Sequence, residues 1–128
     1  SFDRFIGLPR AWRDMQEGSF TNHGKLPRIS DDRINWYKGD VEKTLAKVEK
    51  KDLGKPLFII FDLDIYEPTY SAYIFVKPYL KKGDIVYFDE AFDADENRIL
   101  KQFLKDFKGK LIGTTGMAIA LEVVEKNS

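Results

Sequence analysis

Two pairs of acidic side chains each follow an apolar segment of the chain. Asp62 and Asp64 come directly after a run of five apolar residues, and Asp89 and Glu90 come after a run of four. Short apolar runs are typical of buried strands, and open α/β sheets bind their ligands at the carboxyl ends of strands. We therefore expect the two pairs to share one crevice. Because hard divalent cations prefer carboxylate oxygens, the pattern predicts a site for Mg²⁺ or a similar ion.

Other uses of these acids stay open. An acid at the end of a strand can simply cap the helix that follows, and the chain would then be a non-catalytic binding or assembly module. The sequence Asp62-Leu63-Asp64 also fits a metal-dependent phosphatase or a nucleotide-sugar enzyme, since both place Asp-x-Asp after an apolar strand. The phosphatase pattern expects a small residue and a threonine after the second aspartate, where this chain has Ile65 and Tyr66.

The first part of the chain is expected to be a long loop. Residues 1–33 are interrupted by glycine, proline and asparagine, and loops of this length usually serve as lids or binding segments. A strand over residues 34–38 should follow, and then a helix whose apolar positions are Val41, Leu45 and Val48.

Two further strand-helix units carry the acid pairs. The helix after the first pair should begin at a Thr69 N-cap and run to Leu80, with a kink at Pro78. The apolar face of the helix after the second pair consists of Ile99, Leu100, Phe103, Leu104 and Phe107. Strands over 110–113 and 118–125 should close the sheet as an antiparallel hairpin. This order predicts a mixed α/β fold with a mainly parallel sheet and helices on its faces.

Composition restricts the class of protein. The 128 residues carry 21 basic and 21 acidic side chains, so no net charge favours nucleic acid or an anionic membrane. The absence of cysteine excludes disulfides and a cysteine nucleophile, and the single histidine, His23, falls in a polar turn. No apolar stretch approaches the roughly 20 residues that span a bilayer. We therefore expect one globular, cytoplasmic domain with a small-molecule substrate and neither nucleic acid nor membrane as partner.

Motifs along nearly the whole chain resemble one family, the TylF-like (macrocin O-methyltransferase-like) group of class I S-adenosylmethionine-dependent methyltransferases. In chain order these motifs are Phe2-Asp3-Arg4-Phe5-Ile6-Gly7-Leu8-Pro9, Trp12-Arg13, Gly18-Ser19-Phe20, Gly24-Lys25-Leu26-Pro27, Lys38-Gly39, Thr44-Leu45, Asp62-Leu63-Asp64-Ile65-Tyr66 and Phe88-Asp89-Glu90. The resemblance implies a Rossmann-like sheet. It also implies methyl transfer from S-adenosylmethionine to a hydroxyl of a sugar or other small molecule, with a divalent cation, usually Mg²⁺, holding the acceptor.

The resemblance implies roles for individual residues as well. Asp62, Asp89 and Glu90 match the metal-binding acids of the family, and Asp62 also matches its proposed general base. Asp3 matches the acid that binds the ribose hydroxyls of the cofactor, and Gly39-Asp40 resembles the turn beside the adenine. A cation held by the acids would lower the pKa of the acceptor hydroxyl and orient it.

The first strand of the family's fold and its glycine-rich turn have no counterpart in this sequence. Residue 1 falls where the second strand should be ending, so we expect an N-terminally incomplete methyltransferase domain. The other explanation is a degenerate homologue that keeps the fold as a binding module. A sheet without its central strand exposes hydrogen-bonding edges, and we therefore also expect the chain to form a homo-oligomer.

Overall fold

The computed structural model describes residues 1–128, which form two compact units, Ser1–Val48 and Glu49–Ser128. The regular elements of the first unit are β1 (Phe2–Asp3), β2 (Tyr37–Lys38) and α1 (Val41–Thr44), with a 3₁₀ turn over Leu45–Lys47. The two strands pair in parallel. The rings of Phe2 and Tyr37 stack across this pair with their centroids 4.7 Å apart.

The segment between β1 and β2 is irregular, although β1 itself lies within residues 1–33, which were expected to be loop throughout. Its one isolated bridge joins Trp12 and Met15. Phe5 and Trp12 are buried, whereas Phe20 is 66% exposed. The aromatic residues of the loop therefore pack only in part, and the role of this segment as a lid stays a prediction.

The second unit contains a four-stranded sheet and two helices. Its elements are a 3₁₀ turn (Lys50–Gly54), β3 (Phe58–Phe61), α2 (Tyr66–Val76), a second 3₁₀ turn (Lys77–Tyr79), β4 (Ile85–Phe88), α3 (Ala94–Asp106), β5 (Phe107–Thr114) and β6 (Ile119–Lys126). The strand order is β3-β4-β6-β5. β3 and β4 are parallel, and β6 is antiparallel to both of its neighbours. The predicted α/β class with an antiparallel closing hairpin is confirmed. None of the helices combines the length and the hydropathy that spanning a bilayer requires.

One aromatic cluster packs α2 and α3 against the sheet. Phe61 of β3 stacks on Phe88 of β4 at 5.0 Å and meets Tyr73 of α2 at 6.5 Å, and Phe88 also meets Phe103 of α3 at 6.2 Å. These four rings are at most 1% exposed. Burial of each contributes about 2–3 kcal/mol. Because Phe61 and Phe88 directly precede the two acid pairs, this core fixes the strand ends from which the acids project.

Three details of the predicted helices are wrong. α2 begins at Tyr66, and Thr69 lies inside it, where its hydroxyl donates to the Ile65 carbonyl at 2.7 Å instead of capping. The helix ends at Val76 and a 3₁₀ turn contains Pro78, because proline cannot donate the next helical hydrogen bond. Phe107 begins β5 instead of extending α3, and its ring stacks on Phe103 at 5.3 Å. Phe107 is buried, as the helical spacing of apolar residues predicted, but its backbone is that of a strand.

Candidate functional site

The carboxyl ends of β3 and β4 lie side by side. Phe61 and Phe88 are register partners, and the backbone N–H of Asp89 donates to the Phe61 carbonyl at 3.0 Å. Asp62 and Asp89 are therefore the first residues beyond two adjacent strand ends. The structure places the two acid pairs at one edge of the sheet, as the strand order predicts.

The side chains at this edge act on one another electrostatically. The Tyr87 hydroxyl of β4 donates to Asp89 Oδ1 at 3.1 Å. This hydrogen bond raises the pKa of the Tyr87 phenol, and burial and the negative charges of Asp89, Asp62 and Glu96 raise it further. Tyr87 is therefore a neutral hydrogen-bond donor at physiological pH. Asp62 is exposed, whereas Asp89 is half-buried.

Glu96 is the member of this group that the sequence interpretation missed. Its carboxylate, on the first turn of α3, is fully buried, with Oε2 2.9 Å from the Glu90 backbone nitrogen and Oε1 3.4 Å from the Leu63 nitrogen. Burial raises the pKa of Glu96 to about 7, although hydrogen bonds from the amides of Glu90, Leu63 and Asp64 oppose the rise. One signal was available in the sequence: position 96 is three and four residues before Ile99 and Leu100, so an acid lies on the apolar face of α3.

Asp64 occupies a strained turn directly after Asp62. Its φ is 62°, a positive value that is uncommon for residues other than glycine. The Ile65 N–H closes this turn by donating to the Leu63 carbonyl at 2.7 Å. β3 therefore stops at Phe61, and Asp62 and Asp64 lie in the turn beyond it. Strain of this kind is concentrated at functional sites in proteins.

A metal ion does not fit the side chains as they are placed. Asp62, Asp89 and Glu90 supply the oxygen donors that Mg²⁺ prefers. However, no group of three or more aspartate, glutamate, histidine or cysteine side chains is arranged to hold an ion. The structure brings the backbone of the three acids to one edge without assembling a coordination sphere.

The first unit brings together the residues expected to bind the cofactor. Asp3 ends β1, its carbonyl accepts the Gly39 N–H at 3.0 Å, and its Oδ1 accepts the Phe5 N–H at 2.6 Å. Gly39 has a φ of 129°, which only glycine adopts readily. Asp40 follows as the N-cap residue of α1 and forms an ion pair with Arg4 Nε at 2.8 Å. These three residues therefore form one turn at the carboxyl end of the β1–β2 pair.

Comparisons with known proteins agree with the fold. No family model and no curated protein matches the chain. Two of the solved structures that share its fold are of CalS11. A crystal structure of CalS11, a calicheamicin methyltransferase, matches with a TM-score of 0.72 at 24% identity, covering 94% of this chain and 58% of that one. The apo structure of CalS11, a TDP-rhamnose 3′-O-methyltransferase of calicheamicin biosynthesis, matches with a TM-score of 0.55 at 29% identity, covering 68% and 40%.

The fold of this chain is therefore that of a methyltransferase. The particular structures that it resembles are those of CalS11, and the chain spans less than two thirds of their length.

Proposed function

We propose that the chain is part of a TylF-like, S-adenosylmethionine-dependent O-methyltransferase that acts on a sugar hydroxyl. The observation that carries the proposal is the likeness to CalS11, which extends over 94% of the chain with a TM-score of 0.72. CalS11 methylates the 3′ hydroxyl of TDP-rhamnose, and a nucleotide-linked sugar is therefore the first acceptor to test. The acids at the strand ends support the proposal because this edge is where open α/β sheets bind ligands.

The turn formed by Asp3, Gly39 and Asp40 fits the ribose of the cofactor. The Asp3 carboxylate is exposed, and a carboxylate can accept hydrogen bonds from two neighbouring hydroxyls at once. Its hydrogen bond from the Phe5 N–H holds it in one orientation. The ion pair with Arg4 holds Asp40 in place, so the turn beside the cofactor is fixed before binding.

We assign Asp62 as the general base. When bound, S-adenosylmethionine supplies a methyl group on a positively charged sulfur. Asp62 accepts the proton of the acceptor hydroxyl as the hydroxyl oxygen bonds to the methyl carbon and the carbon–sulfur bond breaks. An exposed carboxylate immediately beyond β3 can reach a substrate at the sheet edge. We propose that Asp62, Asp89 and Glu90 take up Mg²⁺ only together with the cofactor and the acceptor, because their side chains alone form no coordination group. No step here passes through a metal.

We further propose that the chain is the C-terminal part of the methyltransferase domain and associates with itself when alone. The carbonyls of Leu57 and Phe61 bond towards β4. Along a parallel strand, the carbonyl groups of successive residues point to alternate sides. Those of Phe58 and Ile60 therefore point away from β4, to the side of β3 on which no strand pairs. The Phe58 and Ile60 side chains are 62% and 58% exposed. An unpaired strand with exposed apolar side chains on one face supports two proposals: a further strand from a preceding segment, and a homo-oligomer when that segment is absent.

The proposal is tested by measuring cofactor binding and methyl transfer in the 128-residue chain and in a longer product that adds the proposed N-terminal segment. We expect the longer product to bind S-adenosylmethionine and to transfer a labelled methyl group to TDP-rhamnose. We expect Asp3→Asn to weaken cofactor binding at least tenfold, while Asp32→Asn, at an exposed loop position, leaves it unchanged. Nucleotide binding with phosphate release would instead support the phosphatase alternative. A failure of both proteins to bind the cofactor would support the binding-module alternative.

A further inference from the structure

We infer that Glu96 is a positioning residue, which holds the loop after β3 and the loop after β4 together at the acid-bearing edge. The inference rests on the proposed function, because positioning has a catalytic meaning only if this edge binds substrate. The carboxylate accepts the Leu63 N–H through one oxygen and the Glu90 N–H through the other. One side chain therefore joins two loops that are 27 residues apart in the chain.

The contact also supports the strained turn. The amide of Asp64 is a third donor to Glu96, and Asp64 is the residue with a φ of 62°. A left-handed residue persists only where its surroundings hold it. By binding the N–H groups of two successive peptides, Asp62–Leu63 and Leu63–Asp64, Glu96 fixes the path of the chain immediately after Asp62. The orientation of the proposed base thus depends on a residue of α3.

An ordinary helix-capping role does not explain Glu96. It is the third residue of α3, from which a glutamate commonly reaches back to the N-cap N–H. Here the N–H of the N-cap residue, Asp93, donates to the Glu90 carbonyl at 3.0 Å instead. Both Glu96 oxygens bind the strand-end loops. A fully buried carboxylate is unfavourable unless such donors satisfy it, and these donors come from the loops that carry the acids.

Asp84 provides a matched control at the opposite end of the same strands. It is 1% exposed and accepts the N–H groups of Leu57 and Lys81, each at 2.9 Å. Like Glu96, it is a buried carboxylate that joins the ends of β3 and β4 through backbone amides. It does so at the amino ends, away from Asp62 and Asp89. Comparing substitutions of Asp84 and Glu96 therefore separates the general effect of losing a buried carboxylate from the specific effect at the acid-bearing edge.

The test is amide hydrogen exchange in the wild-type chain, Glu96→Gln and Asp84→Asn. Glutamine keeps the length of the side chain but has an NH₂ donor in place of one carboxylate oxygen. Because the two loops donate to different oxygens, that NH₂ group faces an N–H it cannot accept. We expect the amides of Leu63, Asp64 and Glu90 to exchange about 10- to 100-fold faster in Glu96→Gln, beyond any change in β5 and β6. Glu96→Asp, which is one methylene too short to reach both loops, should have the same local effect.

Asp84→Asn should leave those three amides no faster than the rest of the sheet. A uniform change of all amides in Glu96→Gln, or equal opening of the three amides in Asp84→Asn, would overturn the inference. Methyl transfer by the longer product separates the two proposals. If it is active, Glu96→Gln should lower kcat with little change in KM for S-adenosylmethionine. If the wild type is inactive, the proposed function fails. The hydrogen-exchange pattern then shows by itself whether Glu96 holds the two loops together.

Discussion

Replacing Tyr73 by phenylalanine should destabilise the packing of α2 against α3, and most strongly at neutral pH. The Tyr73 side chain is 0% exposed, and its hydroxyl donates to Asp106 Oδ2 at 2.6 Å. Asp106 also binds Lys77 Nζ at 2.8 Å and Gln102 Nε2 at 3.2 Å. This group joins the two helices that cover the aromatic core beneath the acid-bearing strand ends.

The expected magnitude follows from these partners. A hydrogen bond to a charged group contributes about 1.5–3 kcal/mol. Asp106 keeps two partners in Tyr73→Phe and is partly exposed, which places the loss at the lower end, about 1.5–2 kcal/mol. The control is Tyr70→Phe, since Tyr70 is 42% exposed and its ring stacks on Tyr66 at the start of α2. We expect that change to remain within about 0.5 kcal/mol.

The pH dependence has a definite sign. Burial alone would raise the pKa of Asp106, but the hydrogen bonds from Lys77, Tyr73 and Gln102 hold it below its ordinary value of 3.8. A carboxyl group with a lowered pKa stabilises the fold above its unfolded pKa, and this stabilisation is lost as the pH falls through the folded pKa. The wild type should therefore lose more stability than Tyr73→Phe between pH 5 and pH 2.

Urea unfolding at several pH values measures both effects. The difference in free energy of unfolding between wild type and Tyr73→Phe should shrink by about 1 kcal/mol in acid, since a neutral hydrogen bond is weaker than a charged one. A difference equal to that of Tyr70→Phe at pH 7 would refute the assigned contact. If the difference in free energy of unfolding between wild type and Tyr73→Phe does not change with pH, the charge on Asp106 is not what strengthens the hydrogen bond.

Three further predictions concern the core, the association state and the metal. Phe61→Ala should lower the free energy of unfolding by about 3–5 kcal/mol, because its ring is 1% exposed and stacks on Phe88; urea unfolding that shows less than about 1 kcal/mol would contradict this packing. Sedimentation equilibrium at micromolar concentration should give a mass above the 14.9 kDa of one chain, and a mass near 15 kDa would exclude the proposed self-association. Calorimetric titration with Mg²⁺ should show saturable binding only after cofactor and acceptor are added, since the acids alone form no coordination group; binding by the chain alone would contradict the observed geometry.

The strand ends could be predicted from the sequence because a single pattern determines them. The runs before Asp62 and Asp89 are apolar on both faces, and each is followed immediately by charge, so burial and strand end coincide. Phe107 shows where this reasoning fails. It is buried and lies seven and eight residues after Leu100 and Ile99, which suits a helix, yet α3 ends one residue earlier. Periodicity reports burial, and burial does not distinguish a helix from the strand that follows it.

Glu96 could not be assigned from the sequence for a different reason. Its partners are backbone amides of two loops, and backbone groups have no sequence signature. Only the fold shows that α3 begins where both loops pass. The strain at Asp64 is likewise invisible in the sequence, since aspartate is common in turns of many kinds. The acids themselves were recognisable, and Glu96 could be noticed as an acid on an apolar helix face, but its role in arranging the loops could not be predicted.

The central claim, that the edge beyond β3 and β4 performs methyl transfer with Asp62 as the base, is tested most directly by one comparison. Transfer of a labelled methyl group from S-adenosylmethionine to TDP-rhamnose should be measured in the chain extended by the proposed N-terminal segment, in the Asp62→Asn variant of that protein and in an Asp52→Asn control. Asp52 is an exposed acid whose partner is Lys55 at 3.7 Å. We predict that Asp62→Asn lowers kcat by about 100-fold or more, while Asp52→Asn keeps wild-type activity. Equal activity in Asp62→Asn and the control would contradict the claim.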